Sequence, residues 1–459
     1  MNRLGFKEGV AKLSSKIRNI LLCIAQIFSS LSSVNGQSRL KNGEDRSFIQ
    51  LLEKVSQSNP EIRANNLDLE ASNMDIKSVD ALNYPQINFN AAETYTQIIA
   101  RNGGYFPQES AFVELRQNLW NQALKTQVHI KNLEYKERKA NNTYAEAVIL
   151  RRFAMLYIDW INALQSLEVF SNQEKYLSKI LSLNEKRFRM HDDTKLTYKQ
   201  TKVRLLNAKA QVRLLKERSA SLQKRVAMEA GLVKVLRPYP QEFEKVFKYL
   251  LKQVHSETDD LLGKESRQAR LDVADGNIEV AENANGARLD FVARAGVTNY
   301  NGQNSYNYNG KSLIPEVDLG LELVIPLYDG SAKKHNLRAS MLRRNALEER
   351  NNAELALLKN QMVEWKSNRN LNEGNTKNYE DLKSLIKSRY QGLETLYRSG
   401  SNTLFELLNT SEDFLLIERQ HVADYEQKLQ ADVELSVAHN LLTAEGIEKL
   451  KKHFGGSHE

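Results

Sequence analysis

Eight histidines and one cysteine are the side chains of this 459-residue chain best suited to hold a metal ion or attack a substrate, and their spacing supports neither task. His129, His191, His255, His335, His421 and His439 lack the short intervals that bring ligands onto one ion, and His453 and His458 flank a Gly455-Gly456-Ser457 tail. Cys23 lies in an amino-terminal apolar run, so a processed chain has no thiol for metal, disulfide or nucleophilic chemistry. The sequence also lacks a glycine loop of the kind that cradles phosphates. No cofactor is expected, the chain does not read as an enzyme, and energy for any work must come from a partner.

What does recur is a turn. Tyr397-Arg398-Ser399-Gly400-Ser401-Asn402-Thr403-Leu404 repeats Phe188-Arg189-Met190-His191-Asp192-Asp193-Thr194-Lys195 at an offset of 209 residues. Each copy is an aromatic residue, a short polar turn and a threonine, set in long charged helical sequence, which reads as the tip of a helical hairpin capped by Thr194 or Thr403. Asp192 and Asp193 fit turn and capping positions better than an ion site. Glu406 stands in the first turn after Thr403, where a carboxylate is mildly favourable.

The elements carrying these tips must be long. Trp120 to Phe188 is 68 residues and Tyr328 to Tyr397 is 69; at ~1.5 Å per residue each run spans on the order of 100 Å. Apolar residues recur in heptads at Leu408, Leu415, Val422 and Leu429, whereas Ser411, Glu418 and Tyr425 would make a poor two-stranded core but a reasonable wall of helices wetted on one side. Lys202, Arg204, Lys209, Arg213, Lys216, Arg218, Lys224 and Arg225 alternate with apolar residues at helical spacing, a solvated helix face rather than a nucleic-acid surface. Net charge agrees: of the formal +8, residues 1–36 supply half, leaving a mild +4.

Between the helical runs, period-two alternation marks strands. In Glu316–Leu327 one face is Val317, Leu319, Leu321, Leu323, Ile325 and Leu327, and the other is Glu316, Asp318, Gly320 and Glu322. Pro85–Ala91 and Ala111–Trp120 alternate likewise around a Gly103-Gly104 turn. A one-sided sheet in a soluble domain gives this pattern; so does a membrane barrel with apolar residues outward and a wet lumen. Tyr95, Trp120, Tyr300 and Tyr328 lie near segment ends, as membrane boundaries favour, and the polar loop Gly302–Gly310 suits an exterior surface. No stretch after the first 36 residues approaches the ~20 apolar residues of a spanning helix, so any crossing must use strands. At the amino terminus, Arg3, Lys7, Lys12, Lys16 and Arg18 precede the apolar run Ile20–Phe28, an export signal with cleavage expected after Gly36 or within Ser29–Ser33. Leu22 before Cys23 argues against a lipid anchor.

Taken in order, several short motifs resemble the TolC family of bacterial outer-membrane channel proteins. They are Phe48–Ile62 with its Asn59-Pro60, Asn83-Tyr84-Pro85 before the first strand, Pro326-Leu327-Tyr328-Asp329-Gly330 after the last, and the Ser399–Thr403 turn. The resemblance implies a homotrimer, mainly α, in which each subunit gives four strands to a shared 12-stranded β-barrel in the outer membrane and its two helical repeats to a long periplasmic α-helical barrel. It implies as partners a periplasmic adaptor protein and an inner-membrane ABC or proton-driven transporter, with no nucleic acid. Its divisions fall at a signal peptide (1–36), a first segment and tunnel helix (37–83), a barrel hairpin (84–120), a tunnel hairpin (121–231), an equatorial segment (232–263), a tunnel helix (264–287), a second barrel hairpin (288–328), a second tunnel hairpin (329–443) and a terminal equatorial segment (444–459).

By the same resemblance the tunnel narrows at the helix tips. Glu406 matches an acidic constriction site, Asn409 stands where a second acid is usual, and Thr197 and Gln200 hold the equivalent places in the first copy. His191, Asp192, Asp193, Thr194, Gly400, Ser401, Asn402 and Thr403 form the tips that meet the adaptor, with His191 in place of the glycine that Gly400 keeps. Val317, Leu319, Leu321 and Leu323 face lipid. Protein secretion and small-molecule efflux share this architecture; the missing tip acid leans slightly toward secretion. An exported soluble coiled-coil scaffold is the alternative.

Overall fold

The computed structural model describes residues 47–97, 105–189, 195–233, 235, 237–254, 261–300, 313–399, 401 and 403–454, all within the unit Glu44–Glu459. The expected signal segment and the tip residues His191, Asp192, Asp193, Thr194, Gly400 and Asn402 lie outside the described residues.

The chain enters through α1 (Phe48–Ser58) and α2 (Pro60–Asp80). Ser47 starts α1 with a capping box, its hydroxyl accepting from the Gln50 N–H at 3.3 Å while Gln50 Oε1 accepts from the Ser47 N–H at 3.2 Å. Asn59 divides the two helices: its side chain caps the Glu61 N–H at 2.8 Å, and Pro60 takes the first helical position, where a missing N–H costs nothing. This is the local reason for the Asn-Pro motif.

Strands β1 (Gln86–Gln97) and β2 (Tyr105–Asn121) lead into α3 (Gln122–Arg189) and α4 (Lys195–Glu229). After a short belt helix α5 (Pro240–Lys252), helix α6 (Lys264–Asn283) precedes β3 (Arg288–Tyr300) and β4 (Leu313–Val324). Helices α7 (Ala332–Arg398), α8 (Leu404–Ala438) and α9 (Ala444–Phe454) complete the chain. The second hairpin repeats the first at the 209-residue interval, since α3 and α7 end at Arg189 and Arg398, α4 and α8 start at Lys195 and Leu404, and they end at Glu229 and Ala438. With 68 residues in α3 and 67 in α7, each long helix runs ~100 Å.

The helices lie side by side. On the strand side the neighbours are α2, α3, α6 and α7, and on the tip side α4, α3, α8 and α7. The sheet has the order β1-β2-β3-β4, all antiparallel, so β1 and β4 are edges. Expected strand four is displaced: β4 ends at Val324, leaving Ile325, Pro326 and Leu327 outside the ladder, because Pro326 has no N–H to pair. Pro315 stands third in β4, opposite Val297 of β3.

The main core sits at mid-chain height, where α1, α5 and α9 pack on α3 and α8. Phe48 is fully buried there among Tyr157 (4.8 Å between centroids), Phe243 (4.6 Å) and Phe247 (6.0 Å). Helix α5 joins the belt through Phe243, Val246, Phe247 and Leu250, its apolar face at helical spacing. Ser411 and Glu418 are buried between neighbouring helices, where Gln173 Nε2 meets Ser411 Oγ at 3.0 Å and Lys383 meets Glu418 at 3.6 Å, so α8 has neighbours on two sides as a wall of helices requires.

Candidate functional site

Strand register decides which side chains share a face. Leu319 pairs with Ala293, Ala293 with Leu115, and Leu115 with Ile87, so one row across all four strands is apolar. The next row, Val317, Ala295, Val113 and Phe89, is apolar too. Val317, Leu319, Leu321 and Leu323 are all exposed, Leu321 at 68%, as are Ile87 and Phe89. A water-facing sheet would not leave such a continuous apolar surface.

The opposite face holds charge. Its row alternates sign over Asp318, Arg294 and Glu114 and ends on the neutral Asn88, and Arg294 Nε lies 2.9 Å from Glu114 Oε2. Arg116 Nη1 reaches both Asp290 (3.1 Å) and Glu322 (2.9 Å), tying β2, β3 and β4 together through one guanidinium. Sequence reasoning identified the charged face of β4 but missed this cross-strand network. The charges were visible; the register that brings them together was not.

Where β4 gives way to α7, Asp329 organises the turn. Its carboxylate accepts from the Lys333 N–H (2.9 Å), the Asn285 side chain (2.6 Å) and the Ser331 N–H (3.0 Å), and these bonds, the Lys333 one foremost, hold its carboxyl below the usual carboxylate range. Gly330 and Ser331 both take positive φ, the former where a glycine fits without strain.

At the other end of the helices, Thr403 caps α8 by accepting from the Glu406 N–H at 3.5 Å, as its place before the helix predicts. Glu406 and Gln200 are exposed, whereas Asn409 and Thr197 are half-buried; Thr201 Oγ1 donates to the Thr197 carbonyl at 3.0 Å. Ser401 and Thr403 are exposed at the second tip. Leu404, Leu407 and Leu408 bury one side of α8 against Leu177, Ile180, Leu205, Tyr390 and Tyr397. The two hairpins are bridged near the tips by Lys179–Glu394 (2.7 Å) and Arg204–Glu412 (3.0 Å). A single chain thus sets Thr197 and Gln200 on the first turns of α4, and Glu406 and Asn409 on those of α8.

A four-stranded antiparallel sheet continued by paired long helices is the fold of a channel-tunnel subunit. Residues 51–230 match the family model described as outer membrane efflux protein, which bears out the resemblance read from the motifs. Among solved structures the chain is similar to CusC, at 13% identity and a TM-score of 0.70 over 88% of this chain and 95% of that one. VceC from Vibrio cholerae has 14% identity and a TM-score of 0.68, covering 84% and 95%. The CmeC outer membrane channel of Campylobacter jejuni has 11% identity and a TM-score of 0.68, covering 91% and 93%. At these identities the likeness is one of fold. No curated protein sequence matches the chain.

Proposed function

We propose that this chain is one subunit of a passive exit duct, its sheet in the bacterial outer membrane and its helices in the periplasm. The observation that carries the reading is the sheet, with one face apolar across all four strands, the other charged, and both edge strands unpaired within the chain. Unpaired edges are not tolerated in lipid, so copies must join β4 to β1 until the sheet closes. Four strands are too few for a barrel; three copies give twelve, with the charged faces lining a wet lumen. The duct then takes its cargo from a periplasmic adaptor and an inner-membrane transporter, whether ABC or proton-driven.

For the cargo we favour small molecules over secreted protein, because the family matched by residues 51–230 is described by efflux. The test of the duct is conductance of the purified protein in a planar bilayer. Discrete channel steps are expected; recovery wholly in the aqueous fraction with no conductance would return the chain to the soluble scaffold reading. The cargo is tested separately by deleting the gene, with raised drug susceptibility expected and loss of a secreted protein the contrary outcome.

A further inference from the structure

Helices α3, α6 and α7 border an open cleft of about 680 Å³ at the start of α6, and its charge is unbalanced. Lys136 of α3, Lys264 and Arg267 of α6 and Lys359 of α7 line it, against two carboxylates, Glu265 and Asp272. Asp272 already accepts from Gln268 Nε2 at 2.8 Å. Nearby, α6 and α7 are joined by ion pairs, Arg270–Glu354 at 2.7 Å and Arg344–Asp275 at 3.1 Å. Lys136, Arg267 and Lys359, by contrast, have no carboxylate within ion-pair distance among the described residues.

Arg267 is the centre of this excess. It is half-buried and donates from Nη1 to the Leu262 carbonyl at 2.9 Å. Burial, with Arg270 nearby, holds its guanidinium below the ordinary value against the pull of Glu354. Helix α6 starts in the same wall after Gly263 with no side-chain cap, so its positive end adds to the field. Asn351 also lines the cleft at 6% exposure; its Nδ2 donates to the Arg267 carbonyl at 3.2 Å, and its Oδ1 has no hydrogen-bond partner. A buried polar atom short of a partner marks a place where bound water or a ligand completes the bonding.

We propose that this cleft binds a soluble phosphate monoester, whose oxygens are shared among Lys136, Arg267 and Lys359. Three cations on three helices suit a group with three terminal oxygens, and its charge of about −2 near pH 7 offsets the excess of two cations. A carboxylate would offset half of it. With 20 residues in α6, the cleft lies ~30 Å from β3, beyond the reach of lipid packed around the sheet. That choice of a soluble source alone rests on the exit-duct reading.

Isothermal titration of the detergent-solubilised full chain with glycerol phosphate tests it. Saturable binding at one site per chain is expected. Arg267→Gln should weaken it by ~10-fold or more, the loss of one charged hydrogen-bonding group. Lys136→Gln with Lys359→Gln, both at exposed positions, should weaken it likewise and serves should the first variant fail to fold. Lys175→Gln, exposed on α3 outside the cleft, should leave the affinity unchanged. Absence of saturable binding, an equal loss from Lys175→Gln, or a preference for short-chain phosphatidic acid over glycerol phosphate would overturn the proposal. Binding that emerges only once Glu257, Asp259 and Asp260 are changed to amides would overturn it too, since the chain would then supply its own carboxylates. Binding is read without conduction, so a failure here and a failure of the duct reading in bilayers are told apart.

Discussion

Glu406 is the residue on which the proposed gate turns. If three tips converge, three carboxylates face one another across the axis, favouring cations and resisting joint ionisation. Glu406→Gln should weaken cation selectivity in bilayers, while Glu448→Gln on the exposed side of belt helix α9 should leave it unchanged. Equal effects would remove Glu406 from the gate. Glu418 is no neutral comparison for this test, because it is buried against Lys383. A second residue-scale expectation concerns pH. Burial first, together with Lys383, holds His421 below its ordinary 6.5, against the pull of Glu380 and Asp424; Tyr379, Glu418 and Tyr425 also lie on the packed faces. A depressed histidine contributes stability that is present above pH 6.5 and lost as pH falls through its lowered value. Glu418, raised from 4.5, runs the other way: its contribution is present below 4.5 and lost as pH rises through the raised value. Thermal unfolding of His421→Phe should therefore gain on wild type as pH drops from 7.5 to 5.5. A difference that is flat with pH would show that His421 takes up its proton as readily in the folded seam as in the unfolded chain.

Among the elements, the sheet and the belt make separable predictions. Leu321 stands in the exposed apolar face of β4, so Leu321→Arg should cost roughly 2 to 4 kcal/mol of assembly if the residue lies mid-membrane. Normal trimer yield from that variant would mean the faces are reversed. Phe48 is fully enclosed by the aromatic nest of α1, α3 and α5, so Phe48→Ala should lower stability by about 3 to 5 kcal/mol in denaturant unfolding. A loss under half that size would mean the belt collapses to fill the void. The strands and long helices were legible in the sequence because each depends on a local period, two for Val317–Leu323 and near 3.6 for the hairpins. The Thr403 cap was legible from a threonine standing between a polar turn and a helical run, whereas Asn59-Pro60 entered only through the resemblance and its capping role came from the structure. What stayed hidden was whatever depends on register between distant segments: Arg116 meeting Asp290 and Glu322, and the Lys383–Glu418 and Arg369–Asp432 pairs between α7 and α8. The four gate candidates were assigned by resemblance, and one chain places them only on their own helix turns.

The whole molecule is defined by what one chain leaves open. Edges β1 and β4, and helices α2, α4 and α7 at the flanks of the helical layer, all present surface that a second copy can cover, and Leu206, Leu214, Leu371 and Leu385 are exposed along the flanking helices. A ring in which the β4 and α7 side of one copy meets the β1, α2 and α4 side of the next is head-to-tail, and closes when the rotation suits. In such a ring the contact that would seal the proposed barrel would continue along the helices and link membrane insertion to tunnel assembly. The most direct measurement is the mass of the detergent-solubilised particle by light scattering, taken together with its strand content. Three chains per particle with the sheet intact are predicted; a stable single chain retaining all four strands would contradict the account.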